Sequence, residues 1–216
     1  MTWPGTALHR VVEPRVLYFG TPVVLVATTN PDGTANLAPM SSAWWIGNSC
    51  MLGLDATSQT TLNLERTREL VLNLPDATLV DAVDRLAGFT GSDIVPPHKA
   101  AKGYQYLADK FGQARLTPVD SDLVVPPRVR ECPIQLEARV ERIHPFSGPG
   151  SGVLAIEVSI VRTHVREDML VVGSDRHIDP EQWDPLLMKF THFYGQARNV
   201  HPSRLAEAWE IPSVSD

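Results

Sequence analysis

The sequence has few cysteines, no long apolar run and no block of basic residues. Its two cysteines, Cys50 and Cys132, form no CxxC pair, so we expect buried free thiols and a fold that needs no disulfide. The longest aliphatic run, residues 23–27, is too short to cross a bilayer. The net charge is -6, which argues against nucleic acid as a partner because no basic stripe is available to neutralise its phosphates.

The motifs of several common enzyme classes are also missing. The sequence contains no GxGxxG, GxxxxGK[ST], GxSxG or HExxH pattern, so the chemistry behind those motifs has no support. The seven histidines are scattered and none pairs with another at i+3 or i+4, so we predict no metal site. The N-terminus lacks the apolar core of a secretory signal, and we therefore expect a cytoplasmic protein.

The composition is that of an ordinary globular protein. Hydrophobic residues make up 43% of the 216-residue chain, charged residues make up 20%, and the mean hydropathy is -0.09. A chain of this length can bury one sizeable core. We therefore predict a single domain spanning residues 1–216.

The first part of the chain predicts strands. Residues 22–29 form an apolar run, and the sequence Asn30-Pro31-Asp32-Gly33 after it is typical of a hairpin turn. The returning strand, residues 34–46, contains Pro39, which cannot donate to a ladder and so predicts an edge strand. Residues 49–54 alternate as a half-buried strand does.

Three helices are predicted in the middle of the chain. The first runs from about Ser58 to Arg68 and is followed by a strand at residues 70–74. The second is capped by Asp76 and stopped by Gly88. Its apolar face comprises Leu79, Val83, Leu86 and Ala87. A third helix closes at Gly112, and its shared face comprises Tyr104, Leu107 and Phe111.

The last part of the chain returns to strands. Residues 131–143 alternate between apolar and polar side chains, which predicts one buried face and one wet face that carries Gln135 and Glu137. A Gly-rich loop leads to a partner strand at residues 153–165, and a small helix is predicted at residues 205–209. This order predicts a mainly β protein, an antiparallel sheet or β-barrel with inserted α-helices.

The returning strand carries the first candidate site. A flavin ring needs close backbone approach, short hydrogen-bonding side chains and a flat wall. Small residues and hydroxyls supply these features in the run Asn36, Leu37, Ala38, Pro39, Met40, Ser41, Ser42. The same run is also typical of a plain edge strand with a bulge, and this alternative stays open.

A hydroxyl-rich helix start is the second candidate site. Helix N-termini offer free amides and a positive dipole end to a phosphate. The hydroxyls here belong to Thr57, Ser58, Thr60 and Thr61, next to Ala56 and Gln59. Ser/Thr clusters are common at helix starts, so plain N-capping by Ser58 is the favoured explanation of this element taken alone. Arg66 and Arg68 could add positive charge or could be solvated.

In this order, the segments resemble the flavin reductase-like, FMN-binding split-barrel family. The resemblance is strongest in PVVLVATTNPDGTANLAPMSSAWW and LGLDATSQTTLNLERTRELVLNLP, and continues in LTPVDSDLVVPPRVRECPIQLEARVERI. It covers about residues 16–195, with N- and C-terminal arms outside this core.

The resemblance implies a Greek-key split barrel and a homodimer with FMN near the subunit interface. It implies electron transfer from NADH or NADPH to flavin, with free flavin or a small molecule as substrate. Asn36, Ala38, Pro39, Met40, Ser41 and Ser42 fall at the ring and ribityl positions, and Ala56, Ser58, Thr60 and Thr61 fall at the phosphate. Many members carry a basic residue near the phosphate, where this chain has Gln59.

Flavin reduction needs no general acid or base from the protein, so we assign no catalytic residue. His192 and Tyr194 are candidates for the wall of the substrate side, unless Phe190 and Phe193 pack inward and leave them in solvent. A partner monooxygenase is a further possibility. The alternatives are a non-catalytic FMN carrier or sensor and a split barrel that holds haem.

Overall fold

The computed structural model describes residues 9–201, 203 and 204. Its strands are β1 (Phe19–Pro22), β2 (Val24–Thr29), β3 (Ala35–Met40), β4 (Ala43–Ile46), β5 (Ser49–Asp55), β6 (Glu69–Leu74), β7 (Phe89–Thr90), β8 (Gln105–Tyr106), β9 (Pro118–Val119), β10 (Arg128–Val129), β11 (Ile134–Pro145), β12 (Val153–Val165), β13 (Leu187–Lys189) and β14 (His192–Tyr194). Its helices are α1 (Gln59–Thr67), α2 (Val80–Asp84), α3 (Pro97–Ala100) and α4 (Lys110–Ala114), with 3-10 turns at Ala77–Leu79 and Glu167–Met169.

Seven strands form one antiparallel sheet in the order β3-β2-β6-β11-β12-β5-β4. Its two edge strands, β3 and β4, are separated in sequence only by Ser41 and Ser42, so the sheet must curl until its edges meet. The amide of Gly53 donates to the carbonyl oxygen of Ser42 at 2.8 Å, which extends the β4–β5 pairing up to the point where the chain crosses from β3. The predicted mainly β barrel with inserted helices is confirmed.

The structure divides the single strand predicted at residues 34–46. The two serines separate the pieces: β3, which includes Pro39, pairs with β2, while β4 turns away to pair with β5. Both pieces lie at an edge, as the proline predicts. The boundary was missed because both pieces have the same extended, apolar character.

Two apolar cores lie on opposite faces of the sheet. Val24 and Val26 of β2 belong to the core inside the barrel. Leu25 and Ala27 belong to an outer core, which α2 and α4 cover with Val83 and other side chains. Both faces of β2 are therefore buried, which explains its continuous apolar run.

The first two predicted helices exist, although the second is shorter. Ser58 caps α1 by accepting the amide of Thr61, and Arg68 ends it in a left-handed conformation. Asp76 caps a 3-10 turn that leads into α2. Because α2 stops at Asp84, Ala87 lies outside the helix and is exposed, contrary to the prediction.

The third predicted helix is wrong. Its residues are divided among α3, the short strand β8 and the start of α4. Gly103 takes a positive φ of 82°, which no continuous helix accommodates. Gly112, predicted as a helix stop, lies inside α4, and Asp109 caps that helix through the amide of Gly112.

The wet face predicted for the 131–143 strand is also wrong at two positions. Strand β11 begins at Ile134, and both Gln135 and Glu137 are buried. The loop after β9 covers this face, and Glu137 accepts hydrogen bonds from the amides of Asp122 and Leu123 at 2.9 and 2.6 Å. His164 Nε2 lies 2.7 Å from Glu137 Oε1.

Asp122, Glu137 and His164 bring three possible metal-ligating atoms within 4.8 Å of one another, a convergence that the scattered histidines did not predict. The backbone amides occupy both oxygens of Glu137, and Arg162 pairs with Asp122 at 2.6 Å. Protein donors therefore already engage Glu137 and Asp122. The three residues hold the loop after β9 against β11, and we call them the clamp.

The remaining sequence predictions have mixed outcomes. Cys50 and Cys132 are buried free thiols, as expected. No helix in the described part of the chain is long and apolar enough to cross a membrane. The helix predicted at residues 205–209 lies outside the described residues.

The clamp predicts a pH-dependent contribution to stability. Burial raises the pKa of Glu137, but the bonds from the Asp122 amide, His164 and the Leu123 amide outweigh burial, and the net pKa lies below 4.5. A lowered carboxyl pKa stabilises the fold above the unfolded pKa and loses that effect as the pH falls through the folded one. We expect Glu137→Gln to lower the free energy of unfolding by about 2 kcal/mol at pH 7.

Urea unfolding at several pH values measures this loss, which should shrink as the pH falls through the lowered pKa of Glu137 and the carboxylate takes up a proton. The exposed Glu141→Gln on the same strand is the control and should change stability by less than about 0.5 kcal/mol. A loss that is the same at every pH would contradict the role assigned to the carboxylate.

Candidate functional site

Two connected cavities lie where the end of β3, strand β5 and the start of α1 meet residues 86–110. The inner cavity, about 220 Å³, is lined by Ala38, the helix start and Lys110 among others. The outer cavity, about 550 Å³, is lined by Ser41, Ser42 and residues of the β13–β14 hairpin. They share a wall of Pro39, Met40, Gly53, Asp55, Ala87, Gly88, Lys99 and Tyr104.

Close backbone approach at the barrel closure shapes the shared wall. A Cβ atom on Gly53 would lie 3.1 Å from the Cβ of Ser42, so the absence of a side chain at Gly53 lets β5 lie close to Ser42. Pro39 has no amide to leave unpaired at this edge. The wall therefore offers small side chains and backbone atoms to a flat ligand.

Free hydrogen-bond donors line the inner cavity at the start of α1. The amides of Gln59 and Thr60 are the first two of the helix and have no intrahelical acceptor. The Thr60 hydroxyl accepts from Asn36 Nδ2 at 3.1 Å and keeps its own proton to donate. These donors are suited to an anion at the positive end of the helix dipole.

The Ser58 hydroxyl is already occupied by protein groups. Its oxygen accepts the amide of Thr61 at 3.1 Å and lies 2.9 Å from the Thr61 hydroxyl. Because that hydroxyl donates to the carbonyl oxygen of Asp55, the proton between the two belongs to Ser58. Ser58 lines the cavity but acts mainly as the helix cap.

Two lysines supply positive charge to the inner cavity. Lys110 is only 4% exposed, and no carboxylate within the described residues forms an ion pair with it. Burial, together with the charge of Lys99, lowers the pKa of Lys110 to about 8. Lys99 Nζ lies 3.9 Å from the Asp55 carboxylate. Lys110 is therefore a buried cation that still carries its charge at neutral pH.

A contact with Asp55 fixes α3 over the cavities. His98 Nε2 lies 2.7 Å from Asp55 Oδ2, next to Lys99. Burial raises the pKa of Asp55, but the two bonds from Thr57, the His98 contact and the charge of Lys99 keep it below its ordinary value. The carboxylate thus stays charged and joins the end of β5 to α3.

Seven of the ten predicted cofactor residues line the two cavities: Ala38, Pro39, Met40, Ser41, Ser42, Ser58 and Thr60. Ala56 and Thr61 do not; the Thr61 side chain is fully buried beneath the helix start. Asn36 is also buried and supports Thr60 from behind. The structure therefore brings the two predicted segments together at one site.

His192 and Tyr194 lie on the exposed side of the β13–β14 hairpin. The hairpin contributes Met188 and Phe193 to the outer cavity instead. Tyr194 is 43% exposed, and Lys189 lies over its ring at 3.8 Å. A substrate role for His192 and Tyr194 stays a prediction.

The basic residues proposed from sequence point elsewhere. Arg66 donates to the carbonyl oxygen of Thr29 and Arg68 to that of Glu141, and neither lines the cavities. Lys99 and Lys110 were missed because they lie in or next to the third predicted helix, away from its apolar face, where a lysine is normally solvated. Gly103 and the capping residue Asp109 were the available signals that this helix is broken.

Comparison with known proteins agrees with this geometry. The family model "Flavin reductase like domain" matches residues 16–195. The chain belongs to the flavin reductase-like family. It is 36% identical over 195 residues to the uncharacterized protein YdfE of Bacillus subtilis (strain 168), covering 90% of this chain and 93% of that one. Family membership supports a flavin-related oxidoreductase with a flavin cofactor.

Solved structures resemble this family member across most of its length. Flavoredoxin of Desulfovibrio vulgaris (Miyazaki F) aligns with a TM-score of 0.75 at 19% identity, covering 93% of this chain and 100% of that one. Nitrilotriacetate monooxygenase component B from Bacillus cereus aligns with a TM-score of 0.72 at 19% identity, covering 91% and 100%. At these identities the likeness shows the split-barrel fold.

The buried lysine predicts an unusual stability effect. We expect Lys110→Met to raise the free energy of unfolding of flavin-free protein by roughly 1–3 kcal/mol at pH 7, because an apolar chain of similar length replaces a buried charge. The folded pKa of Lys110, about 8, lies below the ordinary lysine value of 10.5. Wild-type stability therefore rises with pH between these values, and the advantage of Lys110→Met shrinks.

Urea unfolding from pH 7 to about pH 10 measures this trend. Arg66→Met is the matched control, since that side chain is exposed and lines neither cavity. A Lys110→Met variant that is less stable than wild type at pH 7 would contradict the unpaired buried charge.

Proposed function

We propose that this protein binds FMN in the two connected cavities and passes electrons from NADH or NADPH to that flavin. The single observation that supports this proposal most is the anion-binding end of the inner cavity. The start of α1 with its two free amides, the Thr60 hydroxyl, Lys99 and Lys110 all line that cavity, next to a wall suited to a flat ring. A phosphorylated flavin has its anion and its ring arranged in this way.

The residues present fit such a ligand. Lys110 would supply the buried countercharge for a phosphate, and Thr60 would donate its free proton. Pro39, Met40 and the two serines would hold the ring, with the hydroxyls of Ser41 and Ser42 available to its polar edge. The flavin supplies the hydride and electron chemistry when bound, while the chain positions it and excludes water.

The outer cavity would receive the electron donor or a small substrate. Its volume falls in the range of about 300–1,000 Å³ common for small-molecule sites. Met188 and Phe193 give it an apolar side, and His98, Lys99 and Lys102 give it a basic rim that suits an anionic dinucleotide.

The cytoplasmic location expected from the sequence stays a prediction.

Partners are proposed from the surface and from the family. Exposed apolar side chains cluster near β4 and the β1–β13 pair, where Trp44 is 56%, Ile46 72% and Phe19 72% exposed. We expect a second copy of this chain to cover them, and light scattering at several concentrations should give a dimer mass. The structural likeness to a monooxygenase component B supports a partner monooxygenase as the consumer of reduced flavin.

Differential flavin binding tests the phosphate position. We expect Lys110→Met to weaken FMN by at least about tenfold while riboflavin, which lacks the phosphate, changes by less than about twofold. Fluorescence titration of both flavins measures this difference. Arg66→Met should leave both affinities unchanged, and equal weakening of both flavins by Lys110→Met would place the phosphate elsewhere.

Oxidation of NADH and NADPH, with and without added FMN, tests the reaction itself. Turnover with either donor supports the reductase. A protein that retains flavin but is not reduced by either donor would favour the carrier or sensor, and a haem absorption spectrum would favour the tetrapyrrole alternative.

A further inference from the structure

A network of buried polar side chains lies behind the start of α1. It comprises Thr28 of β2, Asn36 of β3, and Thr60 and Asn63 of α1. None of these side chains is more than 3% exposed. Because buried polar groups are normally hydrogen-bonded, the partners of each one show what the network does. We call these four residues the Asn36 network.

The hydrogen bonds of the network lead to Thr60. Gln59 Nε2 donates to Asn63 Oδ1 at 2.9 Å, and Asn63 Nδ2 donates to the hydroxyl oxygen of Thr28 at 3.0 Å. Asn36 Nδ2 donates to the same Thr28 oxygen and to the hydroxyl oxygen of Thr60, both at 3.1 Å. Asn36 therefore gives its two amide protons to two hydroxyl oxygens.

These bonds leave the Thr60 hydroxyl as a donor. Its oxygen accepts from Asn36, and no group in the described part of the chain accepts its proton. Thr60 lines the inner cavity, whereas Asn36 lines neither the inner nor the outer cavity. The proton is thus available to a ligand in the inner cavity, and an ionised phosphate is a strong acceptor for it.

The other end of the Asn36 amide carries a cost. Its Oδ1 atom is buried and has no hydrogen-bond partner within the described residues. This oxygen lies against Gly91, where a Cβ atom would be only 2.4 Å away. An unpaired buried acceptor destabilises a fold, so stability alone does not explain an asparagine at this position. A role in orienting Thr60 does explain it.

We propose that Asn36 is a positioning residue for phosphate binding, because it holds the Thr60 hydroxyl as a donor to the terminal phosphate of the flavin. This inference rests on the proposed function, since it requires an anion in the inner cavity. Asn36 acts through Thr60, while Lys99 and Lys110 supply charge independently of it. Loss of the Asn36 amide therefore weakens FMN and leaves riboflavin, which has no phosphate, unchanged.

A double-mutant cycle, followed by fluorescence titration of FMN and riboflavin, tests this role. We expect Asn36→Leu to weaken FMN by at least about fivefold and riboflavin by less than about twofold. Thr60→Val, which keeps the shape but removes the hydroxyl, should give a similar loss. In the Thr60→Val protein, Asn36→Leu should weaken FMN by less than about twofold further, because the hydroxyl that it positions is gone.

Asn73→Leu is the matched control for destabilisation. Asn73 is a fully buried asparagine of β6 that donates to the Leu25 carbonyl oxygen and accepts from the Val129 amide, and it lines neither cavity. We expect this change to lower the thermal unfolding temperature and to leave the ratio of FMN to riboflavin affinity unchanged.

Asn36→Asp provides a second change at the same position, with nearly the same shape as the wild-type residue. Its carboxyl oxygens would accept the Thr60 proton, so FMN should again weaken relative to riboflavin. Thermal unfolding without flavin shows whether each variant is folded.

The outcomes separate this inference from the proposed function. Wild-type protein that binds FMN no more tightly than riboflavin would overturn both. A wild-type preference for FMN that persists in Asn36→Leu and Asn36→Asp would overturn only the role of Asn36. Full additivity of the losses from Asn36→Leu and Thr60→Val would also overturn it, because Asn36 would then not act through Thr60.

Discussion

The closure of the barrel at Ser42 is the constraint on which the rest of the structure depends. The two edge strands β3 and β4 follow one another within two residues, so the chain itself holds the edges of the sheet together at Ser41 and Ser42. This requirement explains the unusual run of proline and serines in the middle of the chain. It also places small residues and backbone atoms where a flat ligand can approach closely.

Residues 86–110 supply the positive charge of the candidate site. Without them, the start of α1 would present two amides and a hydroxyl to solvent, which is a weak site for an anion. Their Lys99 and Lys110 add charge in a place from which water is partly excluded, where an electrostatic interaction is stronger. The same residues contribute Gly91, which lines both this inner cavity and a neighbouring cavity of about 640 Å³.

Sequence patterns predicted those parts of the fold that depend on neighbouring residues, such as buried strands and helix caps. The apolar run of β2 and the Ser58 cap were readable because burial and capping leave a direct mark on residue type. Burial of Glu137 and Lys110 was not readable. A charged residue within an alternating or amphipathic pattern is normally solvated, and only the path of a distant loop decides otherwise. The two cofactor segments were found, but their countercharge was not, because it comes from residues 40 to 50 positions further along the chain.

The charge on Lys110 also makes the stability of the folded protein depend on the anions available to it. An anion that pairs with this ammonium group binds the folded chain and not the unfolded one, so it shifts the folding equilibrium by mass action. Cellular proteases degrade mainly opened chains when opening and closing are fast relative to cleavage. The amount of protein that a cell retains would then follow the supply of the anion, with no regulatory domain involved.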